Sequence, residues 1–209
     1  KEFRLLTANQ VALEYLFETK NTSINLAAYY KTESGDTSGN RKIKGFEIYV
    51  EHYISRSLKA SISNTSLNSD IGTQDKFYNA ENNIGYFFVT TLSYFNPKLM
   101  NVSIAWSHRQ GKFYTPVRSA IYNPGVDFYQ PVYDENLNSE RFGSYNTINL
   151  SINRIFAVHK SSLIVFASIF NILNTKNPES MIYNKDYSAS TYDYYQKRSV
   201  YFGCVLSFK

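Results

Sequence analysis

Residues 198–209 read RSVYFGCVLSFK, and their alternation decides the kind of fold this chain can adopt. Successive side chains of an extended backbone point to opposite faces. Val200, Phe202, Cys204, Leu206 and Phe208 therefore share one apolar face, while Ser199, Tyr201, Gly203, Val205 and Ser207 give the other a smaller, mixed character. A strand of this kind needs an apolar medium on one side only.

The same period of two recurs along the chain. Val11, Leu13, Tyr15 and Phe17 alternate with Ala12, Glu14, Leu16 and Glu18, and Ile24, Leu26, Ala28 and Tyr30 with Asn25, Ala27, Tyr29 and Lys31. Phe46, Ile48 and Val50 oppose Glu47, Tyr49 and Glu51, and Leu58, Ala60 and Ile62 oppose Lys59, Ser61 and Ser63. Val102, Ile104 and Trp106 repeat the pattern against Asn101, Ser103 and Ala105, as do Ile148, Leu150 and Ile152 against Asn149, Ser151 and Asn153. Nine strands are predicted, over 10–18, 22–33, 42–56, 58–69, 82–96, 98–110, 145–158, 161–174 and 197–208.

Composition supports β-structure: the chain of 209 residues has Tyr 19 and Phe 15 against Gly 9 and Pro 5. No apolar run reaches the roughly 18 residues of a membrane-spanning helix, a limit that does not touch barrels, whose strands alternate. The formal charge of +5 is spread singly rather than in a basic stripe, so nucleic acid is not an expected partner. One cysteine, Cys204, excludes an internal disulfide.

The connections are of two kinds, and they alternate. Those near 19–21, 57, 97 and 159–160 are very short; those near 34–41, 70–81, 111–144 and 175–196 are long and rich in Tyr, Asn, Asp, Ser and Gly. Outer-membrane barrels have short periplasmic turns and long extracellular loops, and the expected fold is an all-β transmembrane antiparallel barrel. Nine strands with the last running toward the short turns set the first running the same way. Bacterial single-chain barrels have an even strand number, so at least one further strand is expected upstream. The opening KEFRLL lacks the order of a secretion signal, which fits either a removed signal or a fragment.

Four stretches together resemble TonB-dependent outer-membrane receptors. Gly111-Lys112-Phe113-Tyr114-Thr115-Pro116 is similar to their G-x-P-Y-T-P, and residues 138–152, NSERFGSYNTINLSI, to their N-x-x-R-x-P-x-Y-x-R-L-D-L-S-I. Residues 166–177, FASIFNILNTKN, resemble their penultimate strand F-x-x-x-x-N-L-x-N-x-K-N, and residues 202–208, FGCVLSF, their final strand. Lys44-Gly45-Phe46-Glu47 extends the likeness upstream, and the flavour is that of Bacteroidetes members. Phe113 and Gly143 stand where the family usually has proline, Asn149 where it has aspartate, and Lys209 follows the terminal aromatic.

The resemblance implies a barrel of about 22 strands around an N-terminal plug, of which this chain would supply roughly the last two-fifths, residues 1–209 holding neither the plug nor the earlier strands. It also implies a bacterial outer-membrane location, outer-membrane lipid around the wall, and TonB as a partner through the absent N-terminal part. A surface lipoprotein lid, as in the glycan-importing branch of the family, or a larger outer-membrane complex is a further partner the resemblance allows. The function implied is energised uptake of a bulky, scarce nutrient such as a siderophore, glycan or peptide. The barrel-closing, lipid-facing strand would be Val200, Phe202, Cys204, Leu206 and Phe208.

The residues themselves point to few chemical sites. Glu14/Glu18 and Glu47/Glu51 lie four apart, about 13 Å along a strand, too far for paired-carboxylate catalysis. His52, His108 and His159 lack a carboxylate or cysteine at ligand spacing, so no metal is expected. Gly35, Gly39 and Gly45 lack a P-loop's Lys-Ser/Thr, so no cofactor is expected, and no catalytic residue is assigned. Tyr15, Tyr30, Tyr53, Tyr86, Tyr94 and Trp106 fall toward strand ends and suit an interfacial aromatic girdle. Tyr114, Tyr122, Tyr129, Tyr133, Tyr183, Tyr187, Tyr192, Tyr194 and Tyr195 sit in the two longest loops, where they either grip a ligand or partner, or pack the loops together. Beside the transporter, two readings stay open: a barrel of another class, porin or membrane-embedded hydrolase, and a soluble β-sandwich binding module.

Overall fold

The computed structural model describes residues 6–36, 39–72, 76–158 and 161–208. In chain order the strands are β1 (Thr7–Glu18), β2 (Thr22–Asp36), β3 (Gly39–Tyr53), β4 (Leu58–Gly72), β5 (Phe77–Asn79), β6 (Gly85–Phe95), β7 (Asn101–Arg109) and β8 (Phe113–Tyr114). There follow β9 (Val117–Asn123), β10 (Phe128–Tyr133), β11 (Glu140–Arg141), β12 (Tyr145–Val158), β13 (Ser161–Phe170), β14 (Pro178–Tyr183), β15 (Ser190–Tyr194) and β16 (Ser199–Phe208). Among the described residues there is no helix. Nine strands form one wall in the order β1-β2-β3-β4-β6-β7-β12-β13-β16, and β5 lengthens it beside β4. Every pairing in the wall is antiparallel. Among the described residues β1 and β16 are each paired on one side only, so the wall is an open sheet.

Register sorts the side chains into two chemistries. Leu13, Ala28, Phe46 and Ser66 lie in one row, and Ala60, Leu92, Ile104, Leu150, Ile169 and Val200 in another, all on one face. The opposite face carries Glu14, Ala27, Glu47 and Thr65 in one row and Lys59, Ser93, Ser103, Ser151 and Ser168 in another. Serine hydroxyls pair across that face, Ser93 with Ser103 and Ser151 with Ser168, each at 3.2 Å. In a barrel the polar face lines the interior and the apolar face meets lipid.

The apolar face of the wall is bare. Leu13 is 75% exposed and Phe202 84%, while among described residues the buried apolar side chains are those of Ala80 and Pro116. The buried polar residues are Ser69, Asn83, Thr147, Asn171 and Asn177. A sandwich would bury its apolar faces between two packed sheets; here a single sheet leaves them bare. Spanning strands need about 9–11 residues. β6, β7, β13 and β16 have 11, 9, 10 and 10. β2, β3 and β4 have 15 each, which carries them about 15 Å beyond such a span at their loop ends.

The short turns have local causes. Thr19 Oγ1 accepts from the Thr22 amide at 3.0 Å, and Asn96 Oδ1 accepts from Lys98 N at 3.0 Å and Leu99 N at 3.2 Å, folding the chain around Pro97. The turn expected at 159–160 lies outside the described residues. The connection expected as a long loop over 34–41 differs: β2 and β3 pair up to Asp36 and Gly39. Gly39 has φ +98, and a Cβ there would stand 2.5 Å from the Gly72 carbonyl oxygen, so the tight approach of β3 to β4 requires glycine. Tyr53 also departs from the girdle expectation. It faces the polar side opposite Lys59, whose ammonium lies 5.7 Å from its ring centre.

Candidate functional site

The connections over 111–144 and 175–196 leave the same end of the wall and form small sheets of their own. In the segment 111–144, β8 pairs with β11 at the base and β9 with β10 above them. Arg118 holds the two levels together: its Nη2 lies 2.6 Å from Asp134 Oδ2 and 3.1 Å from Glu140 Oε1. Tyr114 donates its hydroxyl to Glu140 Oε2 at 2.8 Å. Burial first, and this bond second, push the Tyr114 phenol well above its ordinary range. The Asn136 amide and then Arg118 hold the Asp134 carboxyl below its usual value. Arg141 lies 3.8 Å from the Phe113 ring centre and donates to the Gly111 carbonyl at 3.1 Å, and burial lowers its pKa.

The segment 175–196 forms the β14–β15 hairpin. Three asparagines fix its feet. Asn177, 1% exposed, accepts from the Asn146 amide at 2.7 Å and donates to the Asn146 carbonyl at 3.1 Å. Asn171 turns the chain at φ 50, donates to Thr175 O at 3.0 Å and accepts from Thr175 N at 3.0 Å. Asn174, at φ 53, accepts from the Arg198 amide at 3.0 Å. The asparagines of the F-x-x-x-x-N-L-x-N-x-K-N stretch are thus clasps between β13, β12 and the approach to β16. The two loop segments also meet directly: the Tyr183 hydroxyl accepts from the Val117 amide at 3.4 Å, and Lys185 lies 3.4 Å from Asp127.

The nine loop tyrosines divide. Tyr114, Tyr133 and Tyr183 line a cavity of about 370 Å³ together with Lys112, Glu81 and Glu179. The others pack mainly on neighbours: Tyr122 on Tyr129 (4.9 Å between centroids), Tyr187 on Tyr183 (5.4 Å), Tyr192 on Tyr194 (6.3 Å) and Tyr195 on Tyr145 (5.3 Å). Tyr114 itself stacks on Phe142 at 4.2 Å. A larger cavity of about 660 Å³ adjoins it, sharing Glu81, Lys112 and Asn138 and adding Arg41 and Arg109. Isolated loop residues gave no sign of this second cavity, since Arg41 and Arg109 lie on strands far apart in sequence.

Val200, Phe202, Cys204, Leu206 and Phe208 share the apolar face of β16, paired with Ile169, Ala167, Val165, Leu163 and Ser161 of β13. Cys204 is a free, exposed thiol. His52 Nδ1 lies 2.9 Å from the Thr22 hydroxyl, and His108 Nε2 3.2 Å from the Tyr86 hydroxyl. His159 lies outside the described residues. Glu14 and Glu47 flank Ala27 in one row, about 10 Å apart across two strand spacings, and Glu18 and Glu51 flank Ser23 likewise. Asn25 donates to Glu14 at 2.8 Å, Tyr29 to Glu47 at 3.2 Å, and Tyr49 and Lys59 to Glu51 at 2.7 and 3.1 Å. All four carboxylates therefore stand on the polar face, and Glu14, Glu47 and Glu51 are in contact with donors.

A one-sheet wall, apolar outside and polar inside with its loops at one end, defines the architecture of a transmembrane β-barrel. Among solved structures, the chain is similar to the ferric yersiniabactin uptake receptor FyuA from Yersinia pestis, with a TM-score of 0.66 at 12% sequence identity. The match covers 97% of this chain and 30% of that one, so the chain spans under a third of the receptor's length. At this identity the likeness shows the fold. No protein-family model matches the chain, and no curated protein matches it.

Proposed function

We propose that this chain is the C-terminal part of the barrel wall of a TonB-dependent outer-membrane transporter, taking up a bulky, scarce nutrient. The observation that carries this reading is the fold likeness to an uptake receptor along nearly the whole chain. The ordered resemblance of four sequence stretches to the same family supports it. In this reading the earlier strands and the plug lie upstream, and a segment ahead of the plug engages TonB. The apolar face meets outer-membrane lipid, and β16 closes the barrel through the edge that does not pair with β13. The loop layer meets the cargo first, or a lipoprotein lid above it. No bond in the cargo is made or broken.

Uptake in the native bacterium tests this. Deleting the gene should abolish accumulation of one nutrient, and disabling the TonB system should abolish it equally. Accumulation that persists in TonB-deficient cells and depends on this gene would instead identify a passive porin. Release of a cleaved product by the purified protein would identify a hydrolase.

A further inference from the structure

The inner side of the loop layer is crowded with half-buried cations. Arg41, Arg109 and Lys112 line the cavity of about 660 Å³, and Glu81 is the one carboxylate among its described lining residues. Arg41 stands on β3 in the row that runs through Glu33 and Ile71, and Arg109 on β7 opposite Phe87 and Tyr145. Both rows belong to the polar face, so the cations point into the barrel rather than toward lipid.

Their partners leave charge over. The Arg109 guanidinium lies 4.7 Å from the Tyr145 ring centre and 5.2 Å from that of Tyr195, and the Lys112 ammonium 5.6 Å from that of Tyr195. Ring faces attract a cation without neutralising it. Arg41 is 3.9 Å from Glu33, whose other oxygen already holds Lys31 at 2.5 Å. Three cations against Glu81 leave an excess of two positive charges among the described lining residues. A concave surface lined by one sign of charge raises the local concentration of counter-ions.

We propose that this cavity is an anion site that selects a cargo bearing two or more negative charges, such as carboxylates, phosphates or catecholates. The inference rests on the transport reading above for the word cargo, while the site itself is defined by its charges. Tyr145 and Tyr195 set the Arg109 fork in place, so that an arriving anion meets a pre-oriented donor. A neutral compound would desolvate the cations without replacing their water, and is disfavoured.

The test uses the full-length receptor in detergent and the trianionic dye pyranine as probe, read by fluorescence anisotropy at low salt. Saturable binding is expected, weakening as salt is raised. Replacing both charges, Arg109→Gln with Lys112→Gln, should weaken binding by about tenfold or more. Arg109→Lys keeps the charge but loses the stacked planar fork, and should bind more weakly than wild type and more tightly than Arg109→Gln. Lys185→Gln, on the outer hairpin, should change nothing. Absence of saturable binding, an unaffected double variant, or an Arg109→Lys variant as weak as Arg109→Gln would each overturn the proposal. Dye binding needs no energy source. TonB-independent uptake with dye binding intact would therefore break the transport reading and leave the anion site standing.

Discussion

The wall and the loop layer solve opposite solvation problems with the same strand chemistry. In the wall, Ile104 (41% exposed) and Phe202 (84%) face outward, and no second layer covers them. At the loop junctions the fully enclosed residues are polar: Ser69 and Asn177 are each 1% exposed. Water would penalise the first arrangement, at roughly 25 cal/mol per Å² of apolar surface left bare. Hydrocarbon removes that penalty and transfers the demand to the backbone, which the sheet ladder satisfies. The loop layer stands in water and is held by side-chain hydrogen bonds instead. The difference shows that the medium, more than the propensity for strands, decides which residues are hidden.

The largest expected effect is on the lipid face. Ile104→Arg in the full-length protein should destabilise the barrel in bilayers by about 2–4 kcal/mol, read by urea unfolding. Ile121→Arg in β9, where the side chain is 63% exposed in the loop layer, should stay within about 0.5 kcal/mol of wild type. Equal costs at the two positions would erase the contrast between wall and loops.

A smaller effect is expected at a polar clasp. Asn177→Ala removes the acceptor for the Asn146 amide and the donor to its carbonyl, and should cost about 1–3 kcal/mol. Hydrogen exchange should localise the loosening to the β14–β15 hairpin and leave β6 and β7 protected. Loosening of the wall instead would show that the clasp supports the barrel rather than the loop.

The smallest effect concerns pH. The Asp134 carboxyl is held below its ordinary value in the folded protein, so the unfolded chain binds its proton first as pH falls. Its contribution to loop order is complete above the unfolded value and is lost as pH falls through the folded one. Hydrogen exchange in β9 and β10 should therefore be flat from neutral pH down to the ordinary carboxylate range and quicken only below it. Arg118→Ala should shift that quickening to higher pH. A change near neutrality would contradict the assignment.

Much of the wall was legible in sequence because a period of two survives wherever one face is apolar and the other polar. All nine expected strands have a counterpart, with ends displaced by a few residues. The loop hairpins were not legible: Phe128–Tyr133 and Ser190–Tyr194 lack alternation because neither face meets a uniform medium. The reach of β2 and β3 beyond the membrane span was hidden for the same reason, since Glu33 and Arg41 face one another where both sides are wet. Of the candidate site, the tyrosine-rich loops could be located but not sorted, because packing partners such as Phe142 with Tyr114 come from distant stretches. The cations of the inner cavity were invisible as a group. Arg41 and Arg109 come together only through the register of β3, β4, β6 and β7.

The central claim is that one face of this sheet is solvated by lipid and the other by water. Cysteine scanning of β16 tests it most directly, with Cys204 as the native member and other cysteines of the full-length protein removed. Each position from 200 to 208 is reacted in intact outer membranes with a charged methanethiosulfonate. Alternation is predicted: Tyr201→Cys, Val205→Cys and Ser207→Cys react from the aqueous interior, while Phe202→Cys, Cys204 and Leu206→Cys stay protected. Uniform reactivity along the strand, or protection of the opposite set, would contradict it.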